Sequence, residues 1–287
     1  MSGSLPDPHA DTARVARLAL AEDGAADITS DVTIARGLRG TGAIEFRSGG
    51  VLAGTAYANA VVEAVGLGHI AWRAGDGDRV DAGATVGTYG GALPQVLRAE
   101  RTLLNLMQRA CGIATATRAY VDAVAGTRCR ILHTRKTAPG LRGLDVGAVV
   151  AGGGLVHRLD LATAVMVKDN HWRTLERSGR TLRQALDAAR ARGVTALYVE
   201  VESLPQIAAA CEAGASRLLV DNQAPGTFRE WAALARARRP GIEVEATGGI
   251  TLQNVRAYAE AGADYASIGA LTHSVRAGDL AVEVTVD

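Results

Sequence analysis

The chain has 287 residues, 48% hydrophobic and 21% charged, a composition typical of a folded globular protein rather than of a disordered one. Its 31 lysine and arginine residues nearly balance 30 acidic residues, so the net charge of +1 gives no basic field for nucleic acids or anionic membranes. No apolar run approaches 18 residues, and residues 1–14 have neither the basic nor the apolar part of a signal peptide. We therefore expect a cytoplasmic protein with no nucleic-acid partner and no membrane partner.

Cysteine and lysine are both scarce. The three cysteines, Cys111, Cys129 and Cys211, have no metal-type spacing and are interpreted as buried thiols in a reducing compartment. Only two of the basic residues, Lys136 and Lys168, are lysines, and each closes a strand-like segment. Because a bias toward arginine removes lysines wherever arginine serves, these two are candidates for positions that need a compact ammonium group.

The first 126 residues contain two long helical patterns on either side of a β-rich region. Residues 8–22 have helical periodicity. Residues 41–90 contain short β-like pieces divided by Gly and Asp turns, with one helix at 55–66. Residues 94–126 are helical again, with a break predicted at Gly112. We expect an N-terminal α/β sandwich domain.

From residue 130 onward, strands alternate with helices. The predicted strands are 130–136, 164–169, 196–202, 217–222, 243–249 and 265–270, and the predicted helices are 178–192, 204–213, 226–238 and 251–262. Six nearly continuously apolar strands indicate a parallel sheet buried on both faces, and an α/β barrel rather than an open sheet. The last segment, 280–287, is a strand that could return to the N-terminal sheet. The predicted domains are 1–114, joined by 275–287, and a barrel over 115–274.

Polar or small residues follow each predicted barrel strand. They are Arg135 and Lys136, Lys168 to His171, Glu200 and Glu202, Asp221 and Asn222, Thr247 to Gly249, and Gly269. The carboxyl ends of parallel strands meet at one face of a barrel, where such enzymes carry out their chemistry. A solvated loop charge or a paired interior ion explains any one position equally well, but six consecutive strand ends favour a functional site.

These side chains also separate by charge along the chain. Four cations come early (Arg135, Lys136, Arg158 and Lys168), with His157 beside them, and the carboxylates Glu200 and Asp221 come next. Thr247, Gly248, Gly249 and Gly269 follow, and their backbone N–H groups could approach a phosphate. Cations for a polyanion, carboxylates for Mg²⁺ and glycines for a phosphate together indicate phosphosugar or phosphoryl chemistry.

At this point the chain resembles a known family, that of nicotinate-nucleotide pyrophosphorylase or quinolinate phosphoribosyltransferase. The match runs in order from about residue 20 to about residue 275. The motifs that carry it are Glu100–Asn105, Gly112–Thr115, Thr134–Arg142, Gly152–Gly154, His157-Arg158, Lys168–His171, Val199–Glu202, Asp221-Asn222, Thr247–Ile250 and Ser267–Ser274. The blocks at 134–137 and 168–171 are the most specific of these.

The resemblance implies an incomplete α/β (TIM-like) barrel with an N-terminal α/β sandwich domain. It also implies a homodimer, or a hexamer, in which the N-terminal domain of each subunit completes the active site of its neighbour. The implied reaction joins quinolinate to phosphoribosyl pyrophosphate with Mg²⁺, giving nicotinate mononucleotide, pyrophosphate and CO₂ in NAD biosynthesis.

The resemblance further assigns roles to individual residues. Arg101 would reach into the partner subunit's site, while Arg135, His157, Arg158 and Lys168 would hold the pyridine dicarboxylate. Lys136, Glu200, Asp221, Thr247, Gly248 and Gly269 would face phosphoribosyl pyrophosphate and its metal. Lys136, Glu200 and Asp221 would be catalytic, and Glu200 and Asp221 would bind Mg²⁺.

The sequence departs from the family pattern mainly in one patch. The departures are Val146-Gly147 for Lys-Tyr, Val150-Ala151 for Arg-Cys or Arg-Thr, Val156 for Asn, Asp160 for Gly, His133 for Asp and Thr247 for Ser. They leave open a paralogous pyrophosphorylase that acts on another pyridine or azole acid. Two further alternatives are a Schiff-base aldolase that uses Lys168 and a non-catalytic phosphate-binding barrel.

Overall fold

The computed structural model describes the backbone from residue 8 onward and side chains from residue 11 onward, so the first residues of the predicted N-terminal domain lie outside the described part of the chain. Contacts divide the chain into two units. The first, here called the barrel unit, holds Ala119–Arg135 and Leu155–Gly269. The second, here called the N-terminal unit, holds the described residues up to Arg118 with Lys136–Gly154 and Ala270–Asp287. The domain boundaries predicted from sequence stay a prediction.

The helices and strands follow one another along the chain in a regular order. In chain order they are α1 (Pro8–Glu22), α2 (Ile28–Thr33), β1 (Arg39–Phe46), β2 (Gly50–Val51), α3 (Thr55–Ala64), β3 (Ala71–Trp72), β4 (Arg79–Val80), β5 (Ala84–Ala92), α4 (Leu93–Ala123), β6 (Arg130–Leu132), α5 (Arg142–Ala151), β7 (Val165–Val167), α6 (Asp169–Ser178), α7 (Leu182–Arg190), β8 (Leu197–Val201), α8 (Leu204–Ala213), β9 (Arg217–Asp221), α9 (Pro225–Arg238), β10 (Glu243–Thr247), α10 (Val255–Glu260), β11 (Tyr265–Ser267), α11 (Ala270–His273) and β12 (Leu280–Val286).

The N-terminal unit contains an antiparallel sheet with strand order β12-β1-β5-β3. Buried residues alternate with more exposed ones along β1, the pattern of a strand with one face on a core, and Ile44 and Phe46 are fully buried. β12 pairs with β1 from Gly40↔Val286 to Phe46↔Leu280. The last strand therefore completes the sheet that the first strand begins.

The predicted break at Gly112 is wrong, because α4 runs without interruption from Leu93 to Ala123. Glycine is there for a different reason. A Cβ at this position would lie 2.1 Å from the carbonyl oxygen of Arg276, so only glycine lets that backbone pass so close to the helix. The helical periodicity of residues 94–126 thus predicted the course of α4 better than the glycine did.

The barrel unit contains six parallel strands in the order β6-β11-β10-β9-β8-β7. The first strand pairs directly with the last, as in a closed barrel, through Tyr265↔Arg130 and its neighbours. β6 and β7 do not pair with each other, and the other edge of β6 meets only the single bridge Leu132↔Leu155. The predicted incomplete barrel is confirmed.

Four of the described helices were not predicted: the short α2 and α11, and the ten-residue α5 and α6. The ten residues of α6 include no buried residue, and Trp172 and Leu175 are the only large apolar side chains among them, so the segment looks like a polar loop in the sequence. α5 has the sequence RGLDVGAVVA, whose glycines and valines have low helix propensity. The stability of α5 and of α6 therefore depends more on contacts with neighbouring residues than on the helical pattern of their own sequences.

All three cysteines are buried and unbridged, as predicted. Burial raises the pKa of Cys111 and of Cys129 to about 12, so neither thiol ionises near neutral pH. Among residues 8–287, no helix combines the length and the apolar character needed to cross a membrane.

Candidate active site in the barrel unit

The register of the sheet places four predicted site residues on one face of the barrel strands. Val167 pairs with Val199, so Lys168, which is extended, lies beside Glu200. Glu200 pairs with Leu219, and Asp221, two residues further along β9, pairs with Thr247. Side chains alternate along a strand, so Lys168, Glu200, Asp221 and Thr247 share a face near the carboxyl ends of their strands.

Lys168 and Glu200 form an ion pair between neighbouring strands. The Lys168 side chain is 43% exposed and that of Glu200 only 9%, so the ammonium group remains open to a ligand while the carboxylate lies beneath it. The start of α6 fixes both residues. The Lys168 backbone N–H donates to His171 Nδ1 at 3.1 Å, and Trp172 Nε1 donates to the Glu200 carbonyl oxygen at 2.9 Å.

Arg135 and Arg158 lie near enough in the barrel unit for the charge of one to act on the other. Partial burial, followed by the charge of Arg135, lowers the pKa of Arg158 from its ordinary value. Within residues 8–287, the buried Nε of Arg135 has no hydrogen-bond partner. A buried N–H without an acceptor is costly, and two neighbouring cations repel each other. Both costs fall when an anion binds, so this pair has the character of a carboxylate-binding or phosphate-binding site.

The residues at and just after the ends of β9 and β10 pack closely together at Asp221, and we call residues 221–222 and 247–249 the turn around Asp221. Asn222 adopts φ 52°, a left-handed conformation uncommon for a residue other than glycine, and its Nδ2 donates to Asp221 Oδ2 at 2.7 Å. Gly248 and Gly249 both have positive φ, 78° and 60°. A Cβ on Gly248 would lie 2.3 Å from Asn222 Oδ1 and 2.8 Å from Asp221 Oδ1, whereas one on Gly249 would meet nothing within 4 Å.

The remaining predicted residues are placed as follows. Gly269 is half-buried just after β11, while Arg101 and Lys136 belong to the N-terminal unit. Arg101 is an exposed residue of α4, on a helix whose Leu104 and Met107 are buried. The Lys136 carbonyl oxygen accepts from Thr272 Oγ1 at 2.8 Å.

The segment that begins at Lys136 is anchored by a buried ion pair. Both oxygens of the fully buried Asp145 accept from Arg109, from Nε and Nη2, at 2.7 Å each. Asp145 also accepts from the Ala138 N–H at 3.0 Å, and Arg109 donates to the Thr272 carbonyl oxygen at 3.0 Å. These bonds hold the backbone around Lys136 in a fixed conformation.

His157 lies at the edge of a buried polar network that the sequence reasoning missed. Its Nε2 lies 3.3 Å from Oε2 of Glu245, and the two side chains are 6% and 0% exposed. Glu245 also accepts from Arg217 Nη1 at 3.0 Å and from the hydroxyl of Ser267. Burial alone would raise the pKa of Glu245, but hydrogen bonding from His157 and the charge of Arg217 hold it below its usual value.

Arg217 in turn contacts a second carboxylate and two aromatic rings. It donates to Glu243 Oε2 at 2.9 Å and lies over the rings of Tyr198 and Tyr265, 4.7 Å and 3.8 Å from their centroids. The signal that could have revealed the network is the alternation in β10. Glu243, Glu245 and Thr247 share one face of that strand, and only Thr247 was selected from it.

Comparison with known proteins identifies the family of this chain. Residues 27–111 match the N-terminal domain of quinolinate phosphoribosyl transferase, and residues 113–283 match its C-terminal domain. The chain belongs to the quinolinate phosphoribosyltransferase family. The resemblance predicted from the sequence motifs is confirmed.

Individual relatives align over nearly the whole chain. The nicotinate-nucleotide pyrophosphorylase [carboxylating] of Mycobacterium leprae is 39% identical over 292 residues, covering 98% of this chain and 100% of that protein. A probable enzyme of the same name from Methanothermobacter thermautotrophicus is 37% identical over 268 residues, covering 92% and 95%. The solved structure of the nicotinate-nucleotide pyrophosphorylase from Francisella tularensis superposes with a TM-score of 0.89 at 31% identity, covering 98% of each chain.

Proposed function

We propose that this protein transfers the phosphoribosyl group of phosphoribosyl pyrophosphate to quinolinate and releases CO₂, giving nicotinate mononucleotide and pyrophosphate. The observation that carries the proposal is the Arg135–Arg158 pair, with its buried, unpartnered N–H, in a barrel that also presents Lys168. Quinolinate carries two adjacent carboxylates on a flat ring. Planar guanidinium groups bind such carboxylates through paired hydrogen bonds.

On the acceptor side, three cations would bind the two carboxylates and orient the ring nitrogen toward the sugar. Arg135 and Arg158 supply directional hydrogen bonds, and the exposed Lys168 ammonium group adds a charge that Glu200 holds in place. Fixing the nitrogen close to the anomeric carbon supplies much of the rate enhancement, since a bimolecular reaction becomes effectively unimolecular.

On the donor side, the turn around Asp221 would receive the phosphoribosyl group. Gly248 and Gly249 carry no Cβ that would keep phosphate oxygens away from the backbone there. Asp221 and Glu200 are positioned by the register near the same strand ends, where their charge would stabilise the cationic sugar that forms as pyrophosphate leaves. By the family resemblance, Lys136 would neutralise phosphate charge of the donor.

Release of CO₂ follows from the chemistry of the ribosylated ring. Once N1 carries the ribosyl group, the ring is cationic, and it stabilises the electron pair left at C2 when the carboxylate departs as CO₂. The protein needs only to hold the ring and exclude water at this step. No acid–base pair is required.

The proposed metal is Mg²⁺, bound by Glu200 and Asp221 together with the diphosphate. No group of three or more His, Cys, Asp or Glu side chains among the described residues could form a metal cage of its own. Mg²⁺ is commonly bound by one or two carboxylates and completed by substrate phosphates, so two carboxylates fit an ion that arrives with the donor. When bound, the ion would neutralise the charge of the departing pyrophosphate.

We expect EDTA to abolish pyrophosphate release and added Mg²⁺ to restore it. Glu200→Gln combined with Asp221→Asn should have the same effect as the chelator, because both carboxylates are then lost as charged ligands. The measurement is the rate of pyrophosphate release against free Mg²⁺ concentration. Full activity in EDTA, or in the double variant, would show that neither carboxylate binds a required metal.

The decisive experiment for the function compares acceptors. Purified protein with phosphoribosyl pyrophosphate and Mg²⁺ should release both pyrophosphate and CO₂ when quinolinate is the acceptor. When nicotinate replaces quinolinate, no pyrophosphate should be released. Turnover only with another pyridine or azole acid would identify a paralogue instead. The exposure of Val156, two residues before Arg158 in sequence, gives that alternative a specific basis.

The remaining alternatives lack support in the structure. A Schiff-base aldolase needs an unprotonated lysine, and the ammonium group of Lys168 is ion-paired with Glu200. A protein that only binds phosphate has no use for the acceptor cations. Either alternative would need to be tested only if no acceptor supported pyrophosphate release.

Gly248→Ala should weaken binding of phosphoribosyl pyrophosphate about tenfold or more, an effect of roughly 1.4 kcal/mol. The new methyl group collides with Asn222 and Asp221 and moves them. Gly249→Ala is the matched control, because it has the same type of backbone strain but open space around its Cβ. Calorimetry should show a clear loss only for Gly248→Ala, and equal losses in both variants would contradict the role of the turn.

We further propose a cytoplasmic homodimer, or a hexamer formed by association of such dimers, with Arg101 of each subunit entering the partner's site. The support is the family and the exposed position of Arg101 on α4. A dicarboxylate that loses its water shell needs several cations, and Arg101 would add one.

A further inference from the structure

The structure points to an indirect role for His157, beyond the proposed function but resting on it. The resemblance implies that this side chain contacts the dicarboxylate. We propose instead that His157 is a positioning residue, which ties the backbone of Arg158 to the buried Glu245–Arg217 network and so directs the Arg158 guanidinium group toward the acceptor.

The first observation is that both ring nitrogens of His157 have partners within the protein. Nδ1 accepts from the backbone N–H of Arg158 at 2.7 Å, and Nε2 lies 3.3 Å from Glu245 Oε2. Because an N–H can donate only to an unprotonated nitrogen, the hydrogen bond to Nδ1 assigns the neutral Nε2–H tautomer. That ring has no N–H left to offer a carboxylate.

The second observation is the burial and orientation of the ring. Only 6% of the His157 side chain is exposed, and the ring packs edge-on against Tyr198 with 5.5 Å between centroids. A group so enclosed cannot turn toward a ligand without breaking both hydrogen bonds. Arg158, the next residue, is by contrast only partly buried.

The third observation is that Glu245 holds His157 through a fixed set of donors. Glu245 is fully buried and receives hydrogen bonds from Arg217 and Ser267 besides facing His157. Arg217 is itself fixed by Glu243 and two tyrosine rings. The chain of contacts Arg217–Glu245–His157–Arg158 therefore joins the barrel interior to the backbone of Arg158.

A double-mutant cycle tests whether His157 acts through Arg158. His157→Ala should raise the acceptor KM about tenfold in the wild-type background but less than about twofold in the Arg158→Ala background, since the cation it positions is already gone. The KM for phosphoribosyl pyrophosphate should change little in either case. An equal loss of acceptor binding in both backgrounds would mean that His157 contacts the acceptor directly, and would overturn the proposal.

Conservative variants separate positioning from general stability. His157→Asn keeps an acceptor near the place of Nδ1 and should hold the acceptor KM within about threefold of wild type. Glu245→Gln should raise the acceptor KM, whereas Glu243→Gln, on the same strand face and also bound to Arg217 but not to His157, should not. Equal KM effects of the two Gln variants, or an Asn variant as impaired as Ala, would refute the positioning role.

A measurement without substrate keeps the inference separate from the proposed reaction. In protein labelled with ¹⁵N-histidine, NMR should show His157 with a protonated Nε2 and an unprotonated Nδ1 near neutral pH. A proton on Nδ1 would overturn the assignment whatever the protein catalyses. Absence of pyrophosphate release with every acceptor would instead overturn the proposed function and leave the tautomer result standing.

Discussion

Arg158→Ala is expected to weaken quinolinate binding by about 10- to 150-fold, while binding of phosphoribosyl pyrophosphate stays within about twofold of wild type. The range follows from the loss of one charge-assisted hydrogen bond, worth roughly 1.5–3 kcal/mol. Lys168→Ala should have an effect of the same order and should also free Glu200 from its partner. Titration calorimetry with each ligand separately is the measurement.

A matched control shows whether the effect of Arg158→Ala comes from its position or from the loss of any positive charge. Arg177→Ala removes an exposed arginine from the last turn of α6, in the same unit as Arg158. It should leave binding of both ligands unchanged. If Arg158→Ala weakened both ligands equally, the division of the site into an acceptor side and a donor side would be wrong.

The second large effect is the recovery of activity on mixing two inactive proteins. Arg101→Ala and Lys168→Ala should each be nearly inactive, yet mixed dimers contain one site with both groups intact. Random exchange of subunits makes half of the dimers mixed, so up to about a quarter of the sites should recover. Activity after mixing is measured alongside subunit exchange by native mass spectrometry.

The barrel unit supplies an internal control for that experiment. Arg158 and Lys168 both belong to the barrel unit of one chain, so a mixture of Arg158→Ala and Lys168→Ala leaves a defect in every site. This mixture should recover nothing. If exchange is complete and the Arg101→Ala mixture also stays inactive, Arg101 acts within its own chain or has no role in the reaction.

The sequence predicted which residues lie at the ends of the barrel strands, and for a physical reason. Glu200, Asp221 and Thr247 lie at or next to the ends of apolar strands, where they stand out from the aliphatic residues before them. The topology of a parallel barrel then brings such ends together without further information. The Lys168–Glu200 contact follows from the same rule, once the strands are known to be neighbours.

Residues inside strands were harder to predict. Glu245 and Arg217 looked like ordinary members of β10 and β9, because the cost of a buried charge appears only when its partner from another strand is known. The helix break at Gly112 was predicted because glycine has a low helix propensity. Its role depends on Arg276, 164 residues later in the chain, which no local pattern reveals.

The pairing of β1 with β12 has a consequence for the order in which the protein can fold. Arg47 and Glu283, which form an ion pair across this pairing, are 236 residues apart in sequence. During synthesis, β1 can join β5 early, but one of its edges stays open until the last strand leaves the ribosome. An open strand edge is a template for pairing with other chains, and closing such a long loop is slow. The nascent chain therefore passes through a long interval in which this edge must be shielded.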